Sequence, residues 1–184
     1  MRRTGPQNGR VALAVCLLFD RRTDRLVREL WERLEAQGVS TLLTHTHGRH
    51  HPHLSYAVVR DGDPDSVSAA LAPLPDGGVV DVTAQGSVVF PRGRVALACA
   101  APAGAVARQE RVVATLHAAG LELHRSYEPG RWVPHVSVAT SALADQVPLV
   151  VGAVSDVLPL PLHADRAAVI ETGTGQMWPL PGVP

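Results

Sequence analysis

The chain has 184 residues, 46% of them hydrophobic and 4% aromatic, with 17 basic and 17 acidic side chains and a formal net charge of zero. This length and hydrophobic content specify one globular body rather than a disordered chain, and the charge balance argues against a broad electrostatic grip on duplex DNA. Every basic residue is arginine, which excludes P-loop, Schiff-base and lysyl-nucleotide chemistry.

Residues 1–9 are a polar tail, expected to be flexible. Arg2, Arg3 and Arg10 ahead of the apolar Val11–Phe19 resemble a signal peptide. Asp20-Arg21-Arg22 follows at once, however, without a small-residue cleavage site, and the run is too short to span a membrane. It reads as the first core strand of a cytoplasmic protein. Leu26, Leu30, Trp31 and Leu34 recur at helical spacing and predict a helix over 24–37 closed by Gly38. A His-rich loop covers 39–51, and a strand covers 54–59. A turn at 61–64 leads into a short helix over 65–71 with Asp63 or Asp65 near its N-cap. Residues 79–90 read as strand, interrupted or turned at Gly86, and Pro91-Arg92-Gly93 turns into a strand over 95–100. A second helix over 103–119 is closed by Gly120. After a loop over 124–132 come a strand from 136 and a helix over 141–157, with Ser141 or Asp145 as N-cap. The Pro-rich 158–161 follows, then strands at 167–171 and 177–180. Cys16 and Cys99 both fall inside apolar strand runs, at corresponding places in the two halves, which reads as core packing without a disulfide framework.

The tetrapeptide Pro-His-x-Ser occurs twice, as Pro52-His53-Leu54-Ser55 and Pro134-His135-Val136-Ser137, 82 positions apart. Each opens a strand, so His and Ser at i and i+2 share one face while Leu54, Tyr56, Val136 and Val138 take the other. Arg10-Val11-Ala12-Leu13-Ala14 likewise recurs as Arg94-Val95-Ala96-Leu97-Ala98. Strand, helix and His-x-Ser strand follow in the same order in both halves, at about 11–59 and 94–140, so the chain reads as two copies of one unit within a single domain, 1–184. Two histidines facing each other across a phosphorus suit in-line displacement, one taking a proton from the attacking oxygen and the other protonating the leaving oxygen. Ser55 and Ser137 would donate to the non-bridging oxygens. No metal or other cofactor is required. The reaction class best served is cleavage or transfer at a 2′,3′-cyclic phosphate or at a 2′-5′ or 3′-5′ phosphodiester.

These paired motifs resemble the two-histidine (2H) phosphoesterase superfamily, closest to its 2′-5′ RNA ligase-like and cyclic phosphodiesterase branch, over about 11–171. The resemblance implies an α+β fold. In it, two pseudo-symmetric lobes, each an antiparallel sheet with helices on its outer side, surround a central cleft. It implies His53 and His135 as the acid/base pair, Ser55 and Ser137 as phosphate binders, and metal independence. The expected partners are RNA termini or small nucleotide phosphodiesters, with no duplex DNA and no membrane, and the expected state is a monomer. The family commonly carries Thr where this chain has Ser.

Three rival readings attach to particular residues. His45, His47 and His50 approach the His-x-His-x-Asp-His signature of metallo-β-lactamase-type zinc hydrolases, but Arg49 stands where the metal-binding Asp belongs. His51-Pro52-His53 approaches the histidine-triad nucleotide hydrolases, but Ser55 stands where they need a third histidine. A non-catalytic nucleotide or RNA-end binding module is the third. Under any of these, Arg125, Tyr127, Arg131 and Trp132, just upstream of the second motif, are candidates for lining the cleft.

Overall fold

The computed structural model describes residues 11–184; the tail at 1–9 and Arg10 lie outside the described residues. In chain order the elements are β1 (Val11–Phe19), α1 (Arg21–Glu35), β2 (His53–Gly62), α2 (Pro64–Leu71), β3 (Val80–Phe90), β4 (Arg94–Ala100), α3 (Ala103–Ala118), β5 (His135–Ala139), α4 (Val147–Ser155), β6 (Leu160–Glu171) and β7 (Met177–Pro179). The strands pair antiparallel in the order β2-β1-β6-β3-β4-β5, with β7 also on β6, giving the expected α+β class.

The α1 helix starts earlier than its apolar spacing predicts because Asp20 caps it, its carboxylate accepting from the Thr23 N–H at 2.7 Å. Both long helices end at a glycine in the left-handed region, Gly38 at φ 77° and Gly120 at φ 75°. From there the chain crosses to the other half. The segment after α1 reaches the free edge of β5, where the Thr140 N–H donates to Ser40 O at 2.9 Å. The segment after α3 reaches the free edge of β2, where the His124 N–H donates to Val58 O at 2.7 Å and the Arg60 N–H donates to Glu122 O at 2.9 Å. Each exposed sheet edge is thus covered by the connection belonging to the opposite half.

Four sequence expectations need correction. The two Arg-Val-Ala-Leu-Ala runs are not structural counterparts. Leu17 lies opposite Leu54 and Leu97 opposite Val136, and Cys16 lies opposite Ser55 while Ala96 lies opposite Ser137. The recurrence is four residues out of step with the strand register, and the counterpart of Cys16 is Ala96, not Cys99. At Gly86 β3 is interrupted by a register shift between Ala84 and Gly86, as one of the two readings has it, and it does not turn there. α4 begins at Val147 with Gln146 as its N-cap and neither Ser141 nor Asp145 capping it. The preceding chain is held instead by the Ala142 N–H donating to Gly93 O at 2.8 Å. β6 starts at Leu160, well before the expected 167. Pro161 is tolerated because β6 pairs there with β3 alone, and β1 joins only from Ala164.

The main core lies between the sheet and its helices and includes Leu13, Val15, Leu17, Trp31, Leu54, Tyr56, Leu97, Leu116 and Val136. A smaller cluster of Ala14, Cys16, Leu18 and Ala168 sits on the other face of β1 and β6. Tyr56 is fully buried, edge-on to Trp132 with ring centroids 5.8 Å apart, and burial pushes its hydroxyl up to about 12. That hydroxyl has no hydrogen-bond partner among the described residues. Tyr56→Phe is therefore expected to stabilise the fold by about 1 kcal/mol. Urea unfolding checks this, and a loss of stability would contradict it.

Candidate active site

The strand alternation read from the sequence holds at both motifs. His53 and Ser55 on β2, and His135 and Ser137 on β5, are partly exposed, while Leu54, Tyr56, Val136 and Val138 are buried. The two histidines are held alike. His53 Nδ1 lies 2.7 Å from His51 O, and His135 Nδ1 lies 2.7 Å from Val133 O. A carbonyl only accepts, so Nδ1 carries the proton in each ring and Nε2 is the nitrogen left for proton transfer.

The serines are anchored through their main chain. The Trp132 indole N–H donates to Ser55 O at 3.0 Å, and the Trp31 indole N–H donates to Ser137 O at 3.0 Å. Each indole comes from the half opposite to the serine it holds, so the two motif strands are tied across the cleft. Trp31 is fully buried on α1, and its helical spacing marks it only as a core residue. Its bond to the motif is visible in three dimensions alone.

The surroundings of the two rings differ. Cys16 is buried opposite Ser55, with Sγ 3.7 Å from Ser55 Oγ. Burial works against a charged His53, but the adjacent Cys16 sulfur and the His51 carbonyl outweigh it and push the imidazole up to about 9. At His135 burial wins. It holds the imidazole below the usual value of 6.5 against the Val133 carbonyl, and repulsion from His53 and Arg94 adds to the effect. The two shifts thus run in opposite directions, His53 up and His135 down. Cys16 thus belongs to the site and not only to the core. Strand alternation puts it on the face of Ala14 and Leu18, but only the pairing of β1 with β2 brings it to Ser55.

A cavity of about 460 Å³ opens beside the second motif. His135 and Ser137 line it, and His53 and Ser55 do not. Of the four upstream residues singled out in the sequence, Tyr127, Arg131 and Trp132 line it and Arg125 does not. Tyr127 is pushed up to about 12 by burial, and its hydroxyl meets the Ser55 side chain. Gln109 steadies this loop from below, its buried amide donating to Tyr127 O at 2.9 Å and to Tyr56 O at 3.0 Å. Phe90 and Arg94 also line the cavity, with the Phe90 ring 4.8 Å from that of His135. In the sequence Phe90 is unmarked, and Arg94 stands out only as the start of the recurring Arg-Val-Ala-Leu-Ala run.

The His-rich loop packs on itself. The His47 and His50 ring centroids are 4.0 Å apart, and those of His45 and His50 are 5.9 Å apart. His47 Nδ1 accepts from the Arg49 N–H at 3.0 Å. Among the described residues no group of three or more His, Cys, Asp or Glu side chains is placed to hold a metal ion. Burial, then repulsion from His47, His53 and His45, lowers His50 to about 4. The fold therefore favours its neutral form. Its stabilising contribution is complete above the usual 6.5 and is lost as pH falls through about 4. Hydrogen exchange over 45–51, corrected for intrinsic rates, is expected to show the loop loosening across that window, and His50→Gln should flatten the dependence.

The profile of the 2′-5′ RNA ligase superfamily matches residues 23–176, and the chain belongs to that superfamily. Membership implies an enzyme of phosphoester chemistry. Solved structures share the fold at low identity. A phosphoesterase is 11% identical, covering 93% of this chain and 95% of its own, with a TM-score of 0.56. Kluyveromyces marxianus Usb1 is 16% identical, covering 96% and 100%, with a TM-score of 0.54. Escherichia coli LigT in its apo form is 13% identical, covering 94% and 96%, with a TM-score of 0.51. No curated protein sequence matches the chain. Among the described residues no helix is long and apolar enough to cross a membrane.

Proposed function

We propose that this protein is a metal-independent phosphodiesterase of the 2H type, cleaving 2′,3′-cyclic phosphate or 2′-5′ phosphodiester bonds at RNA ends or in nucleotides, with 2′-5′ ligation as the reverse direction. The observation that carries this reading is the matched pair of imidazoles. Each has its Nδ1 proton committed to a main-chain carbonyl two residues back, and each has a hydroxyl two residues ahead on the same face. Neutral His135 accepts the proton of the attacking water or ribose hydroxyl through Nε2 as the new P–O bond forms. Protonated His53 delivers its proton to the leaving oxygen as that bond breaks. Ser55 and Ser137 donate to the non-bridging oxygens, where negative charge builds up in the transition state. Proton exchange with solvent restores both rings.

On this reading the chain is one domain of two lobes, about 11–59 and 94–140, working as a cytoplasmic monomer on RNA termini or small nucleotides. Structures of K. marxianus Usb1 with uridine monophosphate and of E. coli LigT with NADP+ are in keeping with nucleotide ligands. A purely binding module of this fold would have no use for two imidazoles in a set tautomer.

The test is turnover of a panel of nucleoside 2′,3′-cyclic phosphates and a 2′-5′-linked dinucleotide in excess EDTA, by wild type and His135→Ala. Turnover that survives EDTA and disappears in the variant supports the two-histidine mechanism. Turnover abolished by EDTA would move the chemistry to His45, His47 and His50, and no turnover in either condition would favour the binding module.

A further inference from the structure

We infer that Arg94 and Arg131 form a subsite for a second phosphate, so that the preferred substrate carries a phosphate on the 5′ side of the reacting nucleotide. This rests on the reading of the cleft as a nucleotide phosphodiesterase site and adds to it the part of the substrate that the histidines do not touch.

The argument starts from the sign of the cavity. Both arginines line it, along with His45, His124 and His135, and among the described residues no Asp or Glu does. In a chain with equal numbers of acidic and basic residues, this local imbalance is set by the fold. Among the described residues neither arginine makes an ion pair with a carboxylate. Among the described residues the arginines in ion pairs are Arg28, Arg33, Arg60 and Arg166. Arg94 makes only a long 3.4 Å bond from Nε to Pro91 O. Two unneutralised guanidiniums at the wall of one concavity repel each other, and an anion between them relieves that repulsion while accepting forked hydrogen bonds.

The scissile phosphate alone does not account for both arginines. That phosphate sits between the imidazoles, where Ser55 and Ser137 already face its oxygens. Arg94 opens β4 and Arg131 belongs to the loop leading into β5, so the two reach the cavity from different segments of the chain. The volume of about 460 Å³ suits one nucleotide unit, with Phe90 and Trp132 offering ring surfaces to its base. The cavity lies on the His135 side only, so a nucleotide bound there reaches the imidazoles with its 2′ and 3′ oxygens and carries its 5′-phosphate away from them.

The experiment compares ligands that differ only in that phosphate. Calorimetry measures adenosine 3′-monophosphate against adenosine 3′,5′-bisphosphate, and kcat/KM is measured for adenosine 2′,3′-cyclic phosphate with and without a 5′-phosphate. Both use wild type, Arg94→Ala, Arg131→Ala and the double variant. The readout is the preference ratio, in which any general loss of binding cancels. A preference of about tenfold is expected in wild type, as for a single charge-assisted contact. It should weaken with salt and fall to within twofold of unity in the double variant. A wild-type ratio near unity, or a preference that survives in the double variant, overturns the subsite and leaves the phosphodiesterase intact. Binding of the bisphosphate with no turnover of any substrate would overturn the phosphodiesterase while the binding ratio still decides the subsite. Failure to bind either ligand would overturn both.

Discussion

Replacing His135 or His53 with alanine is expected to lower kcat by about 10²- to 10⁴-fold, the range for loss of a positioned acid or base, while leaving thermal unfolding close to wild type. Both rings are partly exposed toward the cleft, and each makes its ring hydrogen bond to a local carbonyl two residues away. Neither replacement therefore opens a hole in the core. On the proposed mechanism both imidazoles act on one displacement, so the double variant should be little slower than the worse single variant. Ser55→Ala and Ser137→Ala should cost about 10²- to 10³-fold each, as for a lost donor to a developing oxyanion. Single-turnover kinetics on a 2′,3′-cyclic phosphate separates these effects from product release. Wild-type rates in the His53→Ala, His135→Ala double variant would end the two-histidine account.

The pH dependence of kcat/KM should be bell-shaped with a wide, asymmetric plateau. As the proposed base, His135 has to be neutral, and its imidazole is held below 6.5 by burial, so the acid limb falls below the usual imidazole range. As the proposed acid, His53 has to be charged, and it is held up at about 9, so the alkaline limb falls near there. Cys16→Ala removes the sulfur that, against burial, raises the His53 imidazole. The alkaline limb is then expected to move toward neutrality while the acid limb stays in place, narrowing the plateau from one side. The variant also loses the 3.7 Å contact with Ser55 Oγ, which predicts a modest rise in KM. An alkaline limb that does not respond to Cys16→Ala would mean that another group sets it. The opposite half has no such lever, because Ala96 occupies the position facing Ser137. Cys16 beside His53, and burial with Arg94 at His135, are thus what make the two rings unequal.

The parts of this molecule that depend on short-range chemistry were legible in the sequence. The alternation His53-Leu54-Ser55-Tyr56 assigns faces because successive side chains on a strand point opposite ways whatever lies beside it. Gly38 and Gly120 mark helix ends because few other residues take positive φ at low cost, and the spacing of Leu30, Trp31 and Leu34 marks a buried helical face. One failure was local, since Asp20 caps α1 through the Thr23 N–H, a bond that apolar spacing does not report. In the others a partner outside the local window decided the outcome. Pro161 was admitted to β6 because β1 had not yet joined at that point. The matching Arg-Val-Ala-Leu-Ala runs proved to be out of register, since strand pairing follows the packing of whole faces and a four-residue slip leaves every side chain on the same face.

By itself, the sequence determined the two His-x-Ser strands, which side of each strand His and Ser share, and the absence of lysine chemistry. Only the tertiary structure decided that Cys16 meets Ser55, that Trp31 and Trp132 hold the serine carbonyls of opposite halves, and that Arg94 and Arg131 share one cavity beside His135. The physical reason is that the period of a strand or helix reports which face a residue occupies but carries no information about what will be packed against it. That is set by the pairing of β1 with β2, by the crossing connections after α1 and α3, and by burial accumulated over the whole chain.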